Sequence, residues 1–179
     1  MRAGLAVVVA ASLNMPIGAA EAQEAHHPTL ELVSDGSLAL CVRPNARRKS
    51  CAWIDTFEPV NEGVYFNVAF IGAGNGVTIE YQTPVWLGER GYCGTVREQD
   101  FYAAVVRLNG REVPTNLAQA ALDGWARENR KWFDREFCTW YEGSGGDFVA
   151  KTSIDGEYQP DKDEPVRVVG RADGYRALR

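Results

Sequence analysis

Hydrophobic and polar residues alternate with a period of two along much of the chain. Between Gly63 and Ile71, the residues Val64, Phe66, Val68 and Phe70 fall on one side of an extended backbone. Val77, Ile79 and Tyr81 alternate in the same way with Thr78 and Glu80. Successive side chains of a strand point to opposite faces, so this spacing predicts strands of a half-buried sheet. Shorter runs at 37–42, 51–57, 148–154 and 166–169 add further strands. Three dipeptides, Asn75-Gly76, Asn109-Gly110 and Asp155-Gly156, supply paired residues that tolerate the positive φ of a type I′ turn. Each predicts a tight hairpin, so the strands form a mainly antiparallel set.

One segment breaks the period. Leu117, Ala121, Trp125 and Trp132 recur at helical spacing, with Asp123, Arg127, Arg130 and Lys131 free to face water. This predicts an amphipathic helix over about 117–133, opened after Pro114 by a capping box of Asn116 and Gln119. Residues 96–108 carry two competing signals. Phe101, Ala104, Val105 and Leu108 have helical spacing behind a Thr95/Glu98 capping box, whereas the Asn109-Gly110 turn demands a strand before it. The strand reading is taken for 103–108. No internal repeat is present, and Gly143–Gly146 reads as a loop. The fold class expected is α+β: a single domain over 29–179, an antiparallel sheet with hairpins, and one long helix packed on it.

The first 22 residues follow a different logic. Arg2 precedes the apolar run Leu5–Leu13, and small residues lead to Ala20-Glu21-Ala22. That is the order of a cleavable secretory signal peptide. The run falls short of the ~20 apolar residues of a bilayer span, and Pro16 and Gly18 interrupt it. Residues 23–28 read as a flexible mature N-terminus. The expected address is the periplasm or the exterior, with no membrane span after cleavage.

Export changes the meaning of the cysteines. Cys41, Cys51, Cys93 and Cys138 all follow the signal, and an even count in an oxidising compartment reads as two disulfides. Of the three connectivities, Cys41–Cys51 with Cys93–Cys138 is expected, because the first pair brackets a short polar loop. The second would tie the helix exit to the sheet. A metal site is disfavoured, since no C-x-x-C pair exists.

Charge and motifs remove several functions. A net charge of −5 argues against nucleic acid as a partner. The two histidines, His26 and His27, sit in the N-terminal stretch, away from any rigid scaffold that would hold a catalytic base. Gly72-Ala-Gly-Asn-Gly76 leads into a strand pattern, whereas a phosphate-binding loop opens into a helix. The acidic stretch Asp155, Glu157, Asp161, Asp163 and Glu164 departs from calcium-loop order, with Pro160 where glycine is needed. It reads as a charged hairpin end. No cofactor motif is found.

Two positive features remain. The loop closed by Cys41 and Cys51 carries Arg43, Arg47, Arg48 and Lys49 on an acidic protein, a candidate site for an anion or an acidic partner. Five tryptophans, Trp53, Trp86, Trp125, Trp132 and Trp140, would suit glycan stacking if exposed, although the helix pair reads as core. Glu80, Glu98, Asp100, Asp134, Glu136 and Glu142 are available for two-carboxylate catalysis, and none stands out. The expectation is therefore a non-catalytic binding or interaction module of the cell envelope, acting on another envelope protein or an anionic ligand. The alternative is a small envelope hydrolase acting on glycans through paired carboxylates.

Overall fold

The computed structural model describes residues 33, 36–88 and 91–178. The expected signal peptide and the 23–28 stretch lie outside these described residues. The chain runs through β1 (Leu38–Val42), β2 (Ser50–Cys51), β3 (Trp53–Asn61), β4 (Val64–Gly74), β5 (Val77–Leu87) and β6 (Tyr92–Thr95). A short helix α1 (Glu98–Tyr102), strands β7 (Val105–Leu108) and β8 (Arg111–Glu112), and helix α2 (Thr115–Asn129) follow. The last stretch holds β9 (Glu136–Ser144), β10 (Asp147–Ile154), β11 (Glu157–Tyr158), β12 (Glu164–Gly170) and β13 (Arg176–Ala177).

Eight strands close on themselves. Their order is β1-β3-β4-β5-β6-β9-β10-β12 and back to β1, antiparallel at every step. The expected α+β sheet under a helix is thus corrected: the protein is mostly β, built as a barrel. Closure is made where β1 pairs with β12, and the eleven-residue β5 serves three neighbours. It pairs with β4 along nearly its whole length, gives Val85–Leu87 to β6, and leaves Val77–Glu80 for β7. Closure also removes the open edges that a flat sheet exposes.

The hairpin expectations hold. Asn75-Gly76, Asn109-Gly110 and Asp155-Gly156 all carry positive φ at both positions. The competition over 96–108 is resolved by division: Glu98–Tyr102 is helical and Val105–Leu108 is a strand. Of the expected Gly143–Gly146 loop, Gly145 and Gly146 make the turn, while Gly143 and Ser144 end β9 and pair with Phe148 and Asp147.

Helix α2 departs from expectation in its cap and its face. Pro114 is the N-cap residue, without a side-chain hydrogen bond, so the Asn116/Gln119 box does not form. Ala118, Leu122 and Ala126 are buried, while Leu117 is 64% exposed. The buried stripe is displaced by one position: Ala118 and Leu122 pack on Ile79 and Val106, and Trp125 is half-buried beside them. A 3₁₀ turn, Arg130–Trp132, extends it.

The pairing of cysteines is as expected, Cys41 with Cys51 and Cys93 with Cys138. The second bond does a different job from the one foreseen. Cys93 and Cys138 lie directly opposite each other on β6 and β9, so the bond staples two barrel strands. One part of the barrel is filled by Val33, Leu40, Val42, Phe57, Val85, Ala150 and Val166. Among the described residues, no helix is long and apolar enough to cross a membrane.

Candidate functional site

The inward parity of the strands decides what the barrel can hold. On β3 the run Trp53-Ile-Asp-Thr-Phe57 sends Trp53, Asp55 and Phe57 inward. On β4 the apolar side Val68 and Phe70 lines an outer groove, and Asn67, Ala69 and Ile71 face in. Small inward residues, Ala69, Gly94, Thr83 and Thr139, leave the middle unfilled. An eight-stranded barrel is just wide enough to pack solid or to keep room for one small molecule. Here it keeps room.

The cavity has a volume of about 420 Å³ and is walled by the barrel together with Phe101, Trp125, Asn129 and Trp132. A second lobe of about 370 Å³ shares Trp53, Asp55, Tyr92, Phe137 and Thr139 with it and reaches Arg43, Lys162 and Glu164 at the rim. Such volumes match pockets of roughly 300–1,000 Å³ that enclose organic ligands.

Aromatic packing sets the helices over this space. Phe101 of α1 stacks on Trp125 of α2 at 4.1 Å between ring centroids, and Tyr81 of β5 lies 5.7 Å from each. Phe133 adds an edge contact with Phe101 at 4.9 Å. Asp100 anchors α1 from the other side: it accepts a hydrogen bond from Thr83 Oγ1 at 2.9 Å and pairs with Arg97 at 2.8 Å. Lys162 Nζ sits 4.5 Å over the Trp132 ring at the edge of the cavity.

Asp55 is the polar centre of the site. It is 6% exposed, and the exposure faces the cavity. Trp53 Nε1 donates to Oδ2 at 3.0 Å, and Asn67 Nδ2 donates to Oδ1 at 3.3 Å. Each oxygen therefore retains one acceptor position. Burial pushes the carboxyl up to about 6, against the opposing pull of the Asn67 and Trp53 hydrogen bonds. Burial, reinforced by the Asp55 charge, also raises the phenols of Tyr81 and Tyr92. Tyr141 is raised by burial, then by Tyr92 and Asp55; its hydroxyl lies 3.2 Å from that of Tyr92. The three phenols are neutral at physiological pH. Among the described residues, no lysine, arginine or histidine lines the lobe beneath α2.

No known family, characterised protein or solved structure matches this chain. Function must be argued from the cavity itself.

The sequence-derived candidates lie mostly elsewhere. In the basic loop, Arg43 pairs with Glu164, and Lys49 lies 4.8 Å over the Tyr175 ring. Arg47 and Arg48 are exposed. Of the tryptophans, Trp53, Trp125 and Trp132 line the cavity, whereas Trp86 is 39% exposed and Trp140 donates to Glu142 on the outer wall. Among the six carboxylates considered for catalysis, Glu80 is held by Arg107 and Asp100 by Arg97. Glu98, Asp134, Glu136 and Glu142 are exposed. In the acidic stretch, Asp155, Asp163 and Glu164 pair with Arg135, Lys151 and Arg43. Asp55 was absent from every candidate set. Its signal was its place between Trp53 and Phe57, a carboxylate on the apolar side of an alternating strand.

Proposed function

We propose that this protein is an exported, disulfide-stabilised binding protein that encloses one small organic molecule in its barrel. The observation carrying this reading is the aromatic cavity around Asp55. Side chains that could fill it are replaced by Ala69, Gly94 and Thr139, while Trp53, Tyr81, Tyr92 and Trp125 present flat apolar faces to it. The space opens to solvent, which leaves a ligand a way in, and its volume lies in the range of pockets that hold organic ligands. Export is supported by the two disulfides, which persist in oxidising compartments. The expected interaction with another envelope protein gives way here to a ligand inside the fold, because the basic loop spends Arg43 and Lys49 on internal contacts. Glycan hydrolysis has thinner support. Asp55 has no second buried carboxylate placed across the cavity from it among the lining residues.

The test uses N-phenyl-1-naphthylamine, an uncharged dye that brightens in apolar surroundings. Saturable one-site binding to the mature protein is expected. Ala69→Phe and Thr139→Phe, which project side chains into the lobe, should each abolish it while leaving circular dichroism unchanged. A wild-type protein that fails to bind the dye, or folded variants that bind it equally well, would refute the reading.

A further inference from the structure

We infer that the ligand carries a protonated amine, which sits against Asp55 within the ring of aromatic side chains. This rests on the cavity being a ligand site and adds the chemical class of its occupant. Three observations converge. First, Asp55 is a carboxylate enclosed in the barrel with only two neutral donors, Trp53 and Asn67, and with an acceptor position open on each oxygen. Buried charges are otherwise paired, and removing a partner from a buried pair is strongly unfavourable. The two cations that line the second lobe have other partners: Arg43 pairs with Glu164 and lies 5.9 Å from the Trp53 ring centroid, and Lys162 sits over Trp132.

Second, aromatic residues share the walls of both lobes with Asp55: Tyr81 and Tyr92 in one, Tyr92 and Tyr141 in the other. Tyr81, Tyr92 and Tyr141 come from three different strands, and each feels the Asp55 charge. Ring faces of Trp and Tyr attract ammonium groups, more strongly where water is excluded. Third, the walls beyond this centre are apolar: Ala69, Ile71, Val85, Phe101 and Trp125 line the same lobe. The expected ligand is thus a small apolar or aromatic body with one ammonium group. In the lobe beneath α2, a carboxylate-bearing molecule would face Asp55 with no cation among the lining residues.

The experiment compares three probes by calorimetry: 2-phenylethylamine, 2-phenylethanol and 3-phenylpropionate. They share an aromatic body and differ in the charge of the end group. Wild-type protein should prefer the amine over the alcohol by about 10- to 100-fold, the range of a charge-assisted hydrogen bond. Asp55→Asn should erase that preference, read as the ratio of amine to alcohol affinity measured on the same variant. Equal or better binding of the alcohol or the acid to wild type would overturn the inference, as would an amine preference that survives Asp55→Asn. If N-phenyl-1-naphthylamine binds and none of the three probes does, the amine assignment falls and the cavity remains a site. If the dye fails as well, the binding reading fails first and this one with it.

Discussion

Asp55 makes the fold less stable at neutral pH than it would be with a neutral side chain of the same shape. In the unfolded chain its carboxyl titrates near 3.8; in the fold, burial raises it to about 6. A group raised in this way contributes stability that is complete below about pH 4 and is lost as pH climbs through 6. The difference corresponds to about 3 kcal/mol. Asp55→Asn removes the titration and keeps the volume. Urea denaturation of both proteins from pH 4 to pH 8 gives the stability difference between them at each pH. That difference should move in favour of the variant by about 2–3 kcal/mol across the range, whatever hydrogen bonds the amide gains or loses. Using the difference cancels the surface pairs. Asp147, Asp155 and Asp163 are held below the usual carboxylate range by hydrogen bonds from Arg167, Arg135 and Lys151, and lose stability as pH falls in both proteins alike. A flat difference, or one that moves toward the wild type, would refute the placement of an uncompensated carboxylate in the barrel.

Other expectations follow from packing and covalent closure. Replacing Phe101, which is 4% exposed and touches Trp125, Tyr81 and Phe133, by alanine should cost about 3–5 kcal/mol in a chemical melt. Gly91→Ala would set a Cβ 2.0 Å from the backbone oxygen of Thr139, so it should destabilise by at least about 2 kcal/mol, read as a lower urea midpoint. Removing Cys93–Cys138, which closes 45 residues, should lower stability by about 4 kcal/mol; removing Cys41–Cys51, which closes 10, by about 3 kcal/mol. The order of the two losses is the sharper check, because loop length sets it.

Strand positions, hairpin turns and the Cys41–Cys51 pair were readable because they depend on neighbours in the chain, and Cys93–Cys138 followed as the pair left over. Asn75-Gly76 needs only its own backbone freedom to turn. Closure was not readable. It depends on β1 meeting β12 and on β5 serving both β6 and β7, which are relations between distant segments. The face of β4 shows the same limit. Its more apolar side, with Val68 and Phe70, reads as the core side of a sheet, yet a ligand-sized interior takes Asn67 and Ala69 instead. Helix α2 misled in a similar way: Leu117 is exposed and Ala118 buried because the face that meets Ile79 and Val106 is set by distant strands. In a linear sequence, charged runs and loop cations are what stand out as candidates. Asp55 belonged to neither group. Its meaning came from the parity it shares with Trp53 and Phe57, visible only once that side of the strand is known to face inward.

The ring of strands is sealed by pairing Leu38 with Gly170 and Val42 with Val166. Partners so far apart in the chain meet slowly, because a long loop must be ordered before the contact rewards it. As the chain is made, β1 therefore waits for β12, and its pairing edge stays available to any passing strand in the meantime. The Cys41–Cys51 bond, by contrast, needs only a ten-residue span and ties β1 to β2 at once. Oxidation of that loop can hold the first strand in shape long before the last one arrives, which makes the early disulfide a placeholder for a seam that closes at the end.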